Sequence, residues 1–369
     1  MKIVSIVGAR PQFIKAAAVS RVLRSRRGIS EVLVHTGQHY DKNMSDVFFA
    51  ELDIPPPDLN LAVGSGRHGE QTARMLEAIE NTLLTHEPDM ALVYGDTNST
   101  LAGALAAAKL HIPLAHVEAG LRSFNRRMPE EINRIVADQC AELLLAPTQT
   151  GVDNLLKEGI DPCRVMLVGD VMYDVALHYS KKSERFSHIL DELDLQAGNY
   201  VLATVHRAEN TDEPTRLHAI FEALEQIAKG IPVVVPVHPR TRAMLPSTAS
   251  MGQSKGRLRL IDPVGYLDMV MLEKNARLIA TDSGGVQKEA YFHAVPCITL
   301  RDETEWVELI DSGWNTLVTP SDSACVAEAI ERALDRRIEA DSRPMFYGDG
   351  HAAENIVAAI EAAKLSGRA

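Results

Sequence analysis

The strongest constraint on how this chain can fold is a rhythm. Short runs of Val, Ile, Leu and Ala alternate with longer segments of helical period. The runs fall at residues 2–8, 31–36, 90–95, 113–118, 142–146 and 165–169. A more polar, less patterned stretch follows at 181–199, with SKKSERFS inside it. The runs then resume at 200–205, 232–237, 258–261, 277–280, 296–300 and 316–318. Between them, one helix opens at Pro11, where proline suits the first helical position. Another spans 70–84 with Leu76, Ile79, Leu83 and Leu84 on one stripe. A helix of small residues covers 99–110, a further one opens at Pro129, and 54–69 reads as a loop. Strand alternating with helix predicts an α/β chain with parallel, doubly wound sheets. At 369 residues the chain exceeds one ordinary core. The restart after 181–199 predicts two domains, 1–175 and 176–351, followed by a last helix in 352–369.

Composition narrows the function classes. The chain is 46% hydrophobic and 24% charged, with a net charge of −12. That describes a globular protein whose acidity disfavours general nucleic-acid binding. A few local cations can still hold a phosphorylated ligand. Cys140, Cys163, Cys297 and Cys325 are scattered, with no C-x-x-C and no histidine at metal spacing. They read as reduced thiols of a cytoplasmic protein. The start, MKIVSIVGARP, reads as a first strand and not a signal peptide, and no apolar run reaches membrane-spanning length.

Parallel sheets bind ligands beyond the carboxyl ends of their strands. Polar residues collect there: Arg10 after the first run, Asp96 after MALVYG, Glu118 after PLAHV, His206 and Arg207 after YVLATV, His238 after PVVVPV, and Asp282 with Ser283 after RLIAT. This repetition predicts a cleft shared by the two domains. One side carries the carboxylates Asp96 and Glu118, with Arg10 and Lys15 near the first turn. The other carries His206, Arg207 and the turn Ser283, Gly284, Gly285, with Glu289 in the helix behind it. A strand–SGG–helix junction aims backbone N–H groups at one spot and suits a phosphate. It would serve equally as a Ser-capped turn. The run MPEEINR opens a helix with Glu130 and Glu131, acids that complement the helix dipole. The short loop before it could also fold Glu130 back toward Glu118. No G-x-G-x-x-G follows the first strand and no Walker A lysine motif occurs, which disfavours a nicotinamide cofactor or an NTPase. Asp96-Thr97-Asn98 has no second carboxylate nearby in sequence, so no metal is expected.

GARPQFIK at 8–15, TGQH at 36–39, YGDTNSTLAG at 94–103, HVEAGLRS at 116–123, PEEINR at 129–134, HRAEN at 206–210, PVHPRT at 236–241, TDSGGVQKEA at 281–290 and RDETEW at 301–306 together resemble the non-hydrolysing UDP-N-acetylglucosamine 2-epimerases. The resemblance runs in order over essentially the whole chain. It implies the GT-B type fold, two Rossmann-like domains facing a central cleft, with the C-terminal helix packed back on the first domain. It also implies a homodimer, a UDP-sugar substrate, UDP as leaving group and no cofactor. The implied reaction takes UDP-N-acetylglucosamine to UDP-N-acetylmannosamine for surface polysaccharide precursors. UDP is eliminated with the C2 proton and then re-added to a 2-acetamidoglucal with a proton on the other face.

Carried over by position, Asp96, Glu118 and Glu130 match the acid–base carboxylates. His206 matches the histidine that stabilises the leaving diphosphate. Arg10, Lys15, Arg207, Ser283, Gly284, Gly285 and Glu289 fall among the UDP contacts, Glu289 on the ribose. Gln38, Arg74 and His238 match a second, activating substrate site. Ala208 replaces that site's arginine, Asp41 replaces a glutamine, and Trp306 stands where many members carry an arginine near UDP. The combination resembles a subgroup that includes epimerases of UDP-2,3-diacetamido-2,3-dideoxyglucuronate. For its extra 6-carboxylate, Arg122, Arg126 and Arg127 are candidates. A GT-B glycosyltransferase is the reading that fold alone leaves open.

Overall fold

The computed structural model describes residues 1–38, 56–245, 257–336 and 343–365. It contains two compact units, Met1–Val175 with Met345–Ala369, and Ala176–Pro344. Each is built on one sheet.

In the first unit the strands are β1 (Lys2–Val7), β2 (Ser30–His35), β3 (Leu59–Asn60), β4 (Met90–Tyr94), β5 (Leu114–Val117), β6 (Leu143–Ala146) and β7 (Val165–Leu167). Their spatial order is β3-β2-β1-β4-β5-β6-β7, with parallel pairing. In the second unit they are β8 (Val201–Thr204), β9 (Val233–Pro236), β10 (Leu258–Ile261), β11 (Leu278–Thr281), β12 (Cys297–Thr299) and β13 (Asn315–Leu317). Their order is β10-β9-β8-β11-β12-β13, again parallel. Both sheets reverse their winding at the centre, between β1 and β4 and between β8 and β11. Helices leave opposite faces there, opening a crevice at the carboxyl ends.

The runs of Val, Ile and Leu form strands because both sheet faces are covered. Val4, Ile6, Ala91, Val93 and Leu144 are fully buried in one unit, and Val201, Ala203, Val233, Ala280 and Ile298 in the other. The small-residue helix is Asn98–Lys109, and its smallness has a purpose. A Cβ on Gly103 would stand 2.9 Å from Val93 Cγ1 and 3.0 Å from Ile6 Cδ1, so glycine lets this helix lie directly on the sheet.

Some expectations need correction. The loop at 54–69 contains β3, a two-residue edge strand that pairs Leu59 with Val34 and is too short to show a period. The helix expected at 70–84 runs His68–His86 and buries Met75, Ile79 and Leu83, while Leu84 is 57% exposed. One residue turns the helix by about 100°, which carries Leu84 off the buried face. The helix expected from Val286 begins at Gly284, with Ser283 as its cap. The stretch 181–199 carries the end of one helix and the short helix Ile189–Glu192. The helix Val171–Phe186 crosses from one unit to the other, and the last helix, Ala352–Leu365, returns to the first unit and packs on the helix Arg10–Ser25. Asp174 caps that last helix, accepting from Ala352 N at 3.1 Å and Ala353 N at 2.8 Å. Among the described residues, no helix is long and apolar enough to cross a membrane.

Candidate active site

In the first unit the turns after β4 and β5 lie side by side because the strands pair in register, Tyr94 opposite Val117. Asp96 and Glu118 therefore emerge as neighbours. Each meets a cation. Lys15, on the helix after β1, pairs with Glu118, their side chains being 12% and 11% exposed. Arg134, on the helix Pro129–Cys140, pairs with Asp96 and also reaches Glu131 at 3.2 Å. Asn133 Nδ2 donates to the Asp96 carbonyl at 2.9 Å. Burial raises the Asp96 carboxyl above its ordinary value; Arg134 opposes the rise and the Glu118 charge adds to it. The side chain keeps 32% of its surface exposed, and water on that side moderates the rise.

Glu118 has φ +72°, a left-handed conformation that a side chain adopts only when its surroundings enforce it. The site needs close backbone approach as well. A Cβ on Gly95 would stand 3.2 Å from Glu118 Oε2.

In the second unit, Asp282 is fully buried at the end of β11 and organises the neighbouring turn. It accepts from His206 N at 3.1 Å, Arg207 N at 3.0 Å and Asn210 Nδ2 at 3.0 Å. His206 Nδ1 lies 3.6 Å from Asp282 Oδ1, and the ring is 5.9 Å from that of His238, between centroids. Burial lowers the His206 imidazole below its ordinary value. Asp282 opposes this, while His238 and Arg207 reinforce it. Ser283 Oγ accepts from Val286 N at 3.4 Å, capping the helix Gly284–Phe292. A Cβ on Gly284 would crowd Glu305 Oε1 at 2.9 Å and Arg207 Nη2 at 3.6 Å. The glycine leaves room at the helix start, where the Glu305 carboxylate and the Arg207 guanidinium both stand close; a helix N-terminus favours negative charge. Behind it, Glu289 is buried and accepts from Tyr266 Oη at 3.4 Å.

The structure thus groups Asp96, Glu118 and Lys15 in one unit, and His206, Arg207, Ser283, Gly284, Gly285 and Glu289 in the other. Lys15, expected among the UDP contacts, pairs with Glu118. Glu130 is exposed; the neighbouring Glu131 is the one turned inward, accepting from Ser123 N at 2.9 Å and Phe124 N at 3.0 Å. Arg122 is not available to a substrate carboxylate. It is buried and forked onto Glu158, with both bonds at 2.7 Å. Gln38 is buried and accepts from Ser99 Oγ at 2.7 Å; Arg74 is on the surface near Glu70 at 3.7 Å; His238 is exposed. Asp41 lies outside the described residues. Among the described residues no cluster of three or more His, Cys, Asp or Glu could hold a metal ion.

Arg134, which pairs with Asp96, and Glu131, which accepts from the Ser123 and Phe124 amides, make contacts that sequence reasoning did not assign. Their signal was a polar stripe, Glu131, Arg134 and Asp138, on one face of a helix whose other buried positions are Asn133 and Ala137.

Two Rossmann-like sheets, one bearing paired carboxylates and one an anion-directed helix start, define an α/β protein of the GT-B type. Comparison with known proteins agrees. The profile for UDP-N-acetylglucosamine 2-epimerase matches residues 21–361, and the chain belongs to that family. The UDP-2,3-diacetamido-2,3-dideoxy-D-glucuronate 2-epimerase of Pseudomonas aeruginosa is 49% identical over 359 residues, covering 96% of this chain and 98% of the relative. The UDP-N-acetylglucosamine 2-epimerase of Methanocaldococcus jannaschii is 44% identical over 365 residues, covering 97% and 98%. A crystal structure of the M. jannaschii UDP-GlcNAc 2-epimerase in complex with UDP-GlcNAc and UDP superposes with a TM-score of 0.87 at 42% identity, over 98% of this chain and 100% of that one.

Proposed function

We propose that this chain epimerises C2 of a UDP-N-acetylhexosamine, interconverting UDP-N-acetylglucosamine and UDP-N-acetylmannosamine. The observation that carries the reading is the pair Asp96 and Glu118, adjacent at the ends of β4 and β5 and each matched to its own cation. The C2 hydrogen of such a sugar is not acidic, so inversion needs a route that loses a leaving group. A carboxylate takes the C2 proton, the C–H electrons form the C1–C2 double bond, and the C1–O bond breaks toward UDP. On return, the UDP oxygen attacks C1 while a proton reaches the opposite face of C2. Two carboxyl groups suit this, one taking the proton and the other returning it. Glu130 is the third carboxylate of the proposal. Arg10, His206, Arg207 and the Ser283–Gly285 amides stabilise the departing diphosphate, whose charge grows as the bond breaks. Glu289 takes the ribose.

The test is turnover in D2O, where the product should gain deuterium at C2. Epimer formed without it would exclude the elimination route, and sugar passed to an acceptor without epimer would indicate a glycosyltransferase.

A second substrate reading rests on the 49% identity to the Pseudomonas aeruginosa enzyme of the diacetamido uronate. Arg126 and Arg127 are exposed and available to a 6-carboxylate. Comparing kcat/KM for the two UDP-sugars decides between them. The same proposal makes the enzyme a cytoplasmic homodimer, tested by fractionation and light scattering. It gives Gln38, Arg74 and His238 to an activating site, whose signature would be a sigmoidal dependence on substrate.

A further inference from the structure

Asp96 and Glu118 stand on turns from different strands, yet a buried chain of contacts beneath them reaches both turns. His116, on β5, is fully buried. Its Nδ1 lies 2.7 Å from Asp138 Oδ1, and its Nε2 lies 2.7 Å from the carbonyl oxygen of Gly95, the residue before Asp96. Asp138, on the helix Pro129–Cys140, is also fully buried. Its Oδ2 accepts from Gly120 N at 3.2 Å, two residues past Glu118, and lies 2.7 Å from Arg122 Nη1. Burial alone would raise the Asp138 carboxyl; His116 and Arg122 outweigh it and hold the group below its ordinary value. The His116 ring thus bridges the Asp138 carboxylate and the Gly95 carbonyl, one nitrogen to each.

We propose that His116 and Asp138 are positioning residues for the acid–base pair. The path from the Gly120 amide through Asp138 and His116 to the Gly95 carbonyl fixes how far apart the Asp96 and Glu118 turns stand. Its catalytic meaning rests on the function proposed above. These turns need such support. Gly95, Glu118 and Gly120 have φ of +59°, +72° and +83°. Glycine accepts these values at little cost, whereas Glu118 does not. The same helix adds Arg134 to Asp96 and Glu131 to the amides of Ser123 and Phe124, so one rigid element sets both turns.

The test compares His116→Gln, whose amide can replace Nε2 and keep the Gly95 bond, with His116→Asn, whose amide replaces only Nδ1. Asp138→Asn is the third variant, and thermal melting confirms that each is folded. His116→Asn should lower kcat by about 100-fold with KM within about threefold, the scale of a misplaced catalytic group, while His116→Gln stays within about tenfold of wild type. In the unliganded chain, amide exchange should quicken at 94–98 in His116→Asn and at both 94–98 and 117–122 in Asp138→Asn. Equal kcat in the two His116 variants, or unchanged exchange in both turns, overturns the proposal. A wild-type chain that turns over without C2 deuterium overturns the functional reading instead, and the exchange measurements still decide the positioning claim.

Discussion

Glu273 shows how far a single residue's setting can depart from what its type suggests. It lies on the helix Tyr266–Lys274, is 1% exposed, and neither carboxyl oxygen has a hydrogen bond among the described residues. Burial, helped by the Glu289 charge, raises its carboxyl well above the ordinary range, so the folded chain holds it neutral. A raised folded-state value contributes stability that is complete below the unfolded value near 4.5 and is lost as pH rises through the folded one. Glu273→Gln removes that loss. Its melting temperature should gain on wild type steadily as pH is raised from acid to alkaline, and a gap that stayed constant would show that the carboxyl is not held neutral. Legibility at this scale was uneven. Asp96, Glu118 and His206 could be read because a polar residue straight after an apolar strand is placed by the sheet alone. Glu131, Arg134 and Asp138 could not. On a helix, acids and bases look like a solvated face, and only the neighbouring turns from β4 and β5 make that face the inside.

Among elements, strands were read more securely than helix ends, because a fully buried parallel strand is a continuous apolar run, whereas caps depend on a few hydrogen bonds. The helix Asn98–Lys109 illustrates this. It ends in a Schellman arrangement, with His111 N donating to Ala108 O at 3.3 Å and Ile112 N to Ala107 O at 3.0 Å. His111 carries the left-handed turn at φ +56° and is exposed, so its side chain gives up little packing. Glycine is the residue this position favours. His111→Gly should stabilise the protein by about 0.5–1 kcal/mol, read from the urea midpoint. A loss of stability would mean that the histidine ring contributes more than the backbone costs. β3 escaped sequence reading for the opposite reason: two residues at a sheet edge have no period to detect.

For the whole molecule, the two units carry different chemistry, and the proposed reaction needs both. Asp96→Asn should abolish deuterium uptake at C2 yet bind UDP with the wild-type Kd, measured by calorimetry. Gly284→Val should weaken UDP binding by about 10-fold or more, since added bulk at the helix start blocks close approach of an anion. Loss of UDP binding in Asp96→Asn would contradict this division. The restart of the strand pattern made two sheets legible, but not the path between them, because helix periodicity does not say which sheet a helix serves.

The return of the last helix also gives the chain a topology with a practical edge. Asp170 N donates to Tyr347 O at 3.0 Å, so the chain leaves the first unit and re-enters it at neighbouring points. Residues 176–344 are an insertion within one continuous fold. The first unit is finished only when synthesis reaches the final helix, so clipping the C-terminus should injure the N-terminal sheet, while splicing out the insertion with a short flexible bridge should leave that sheet intact.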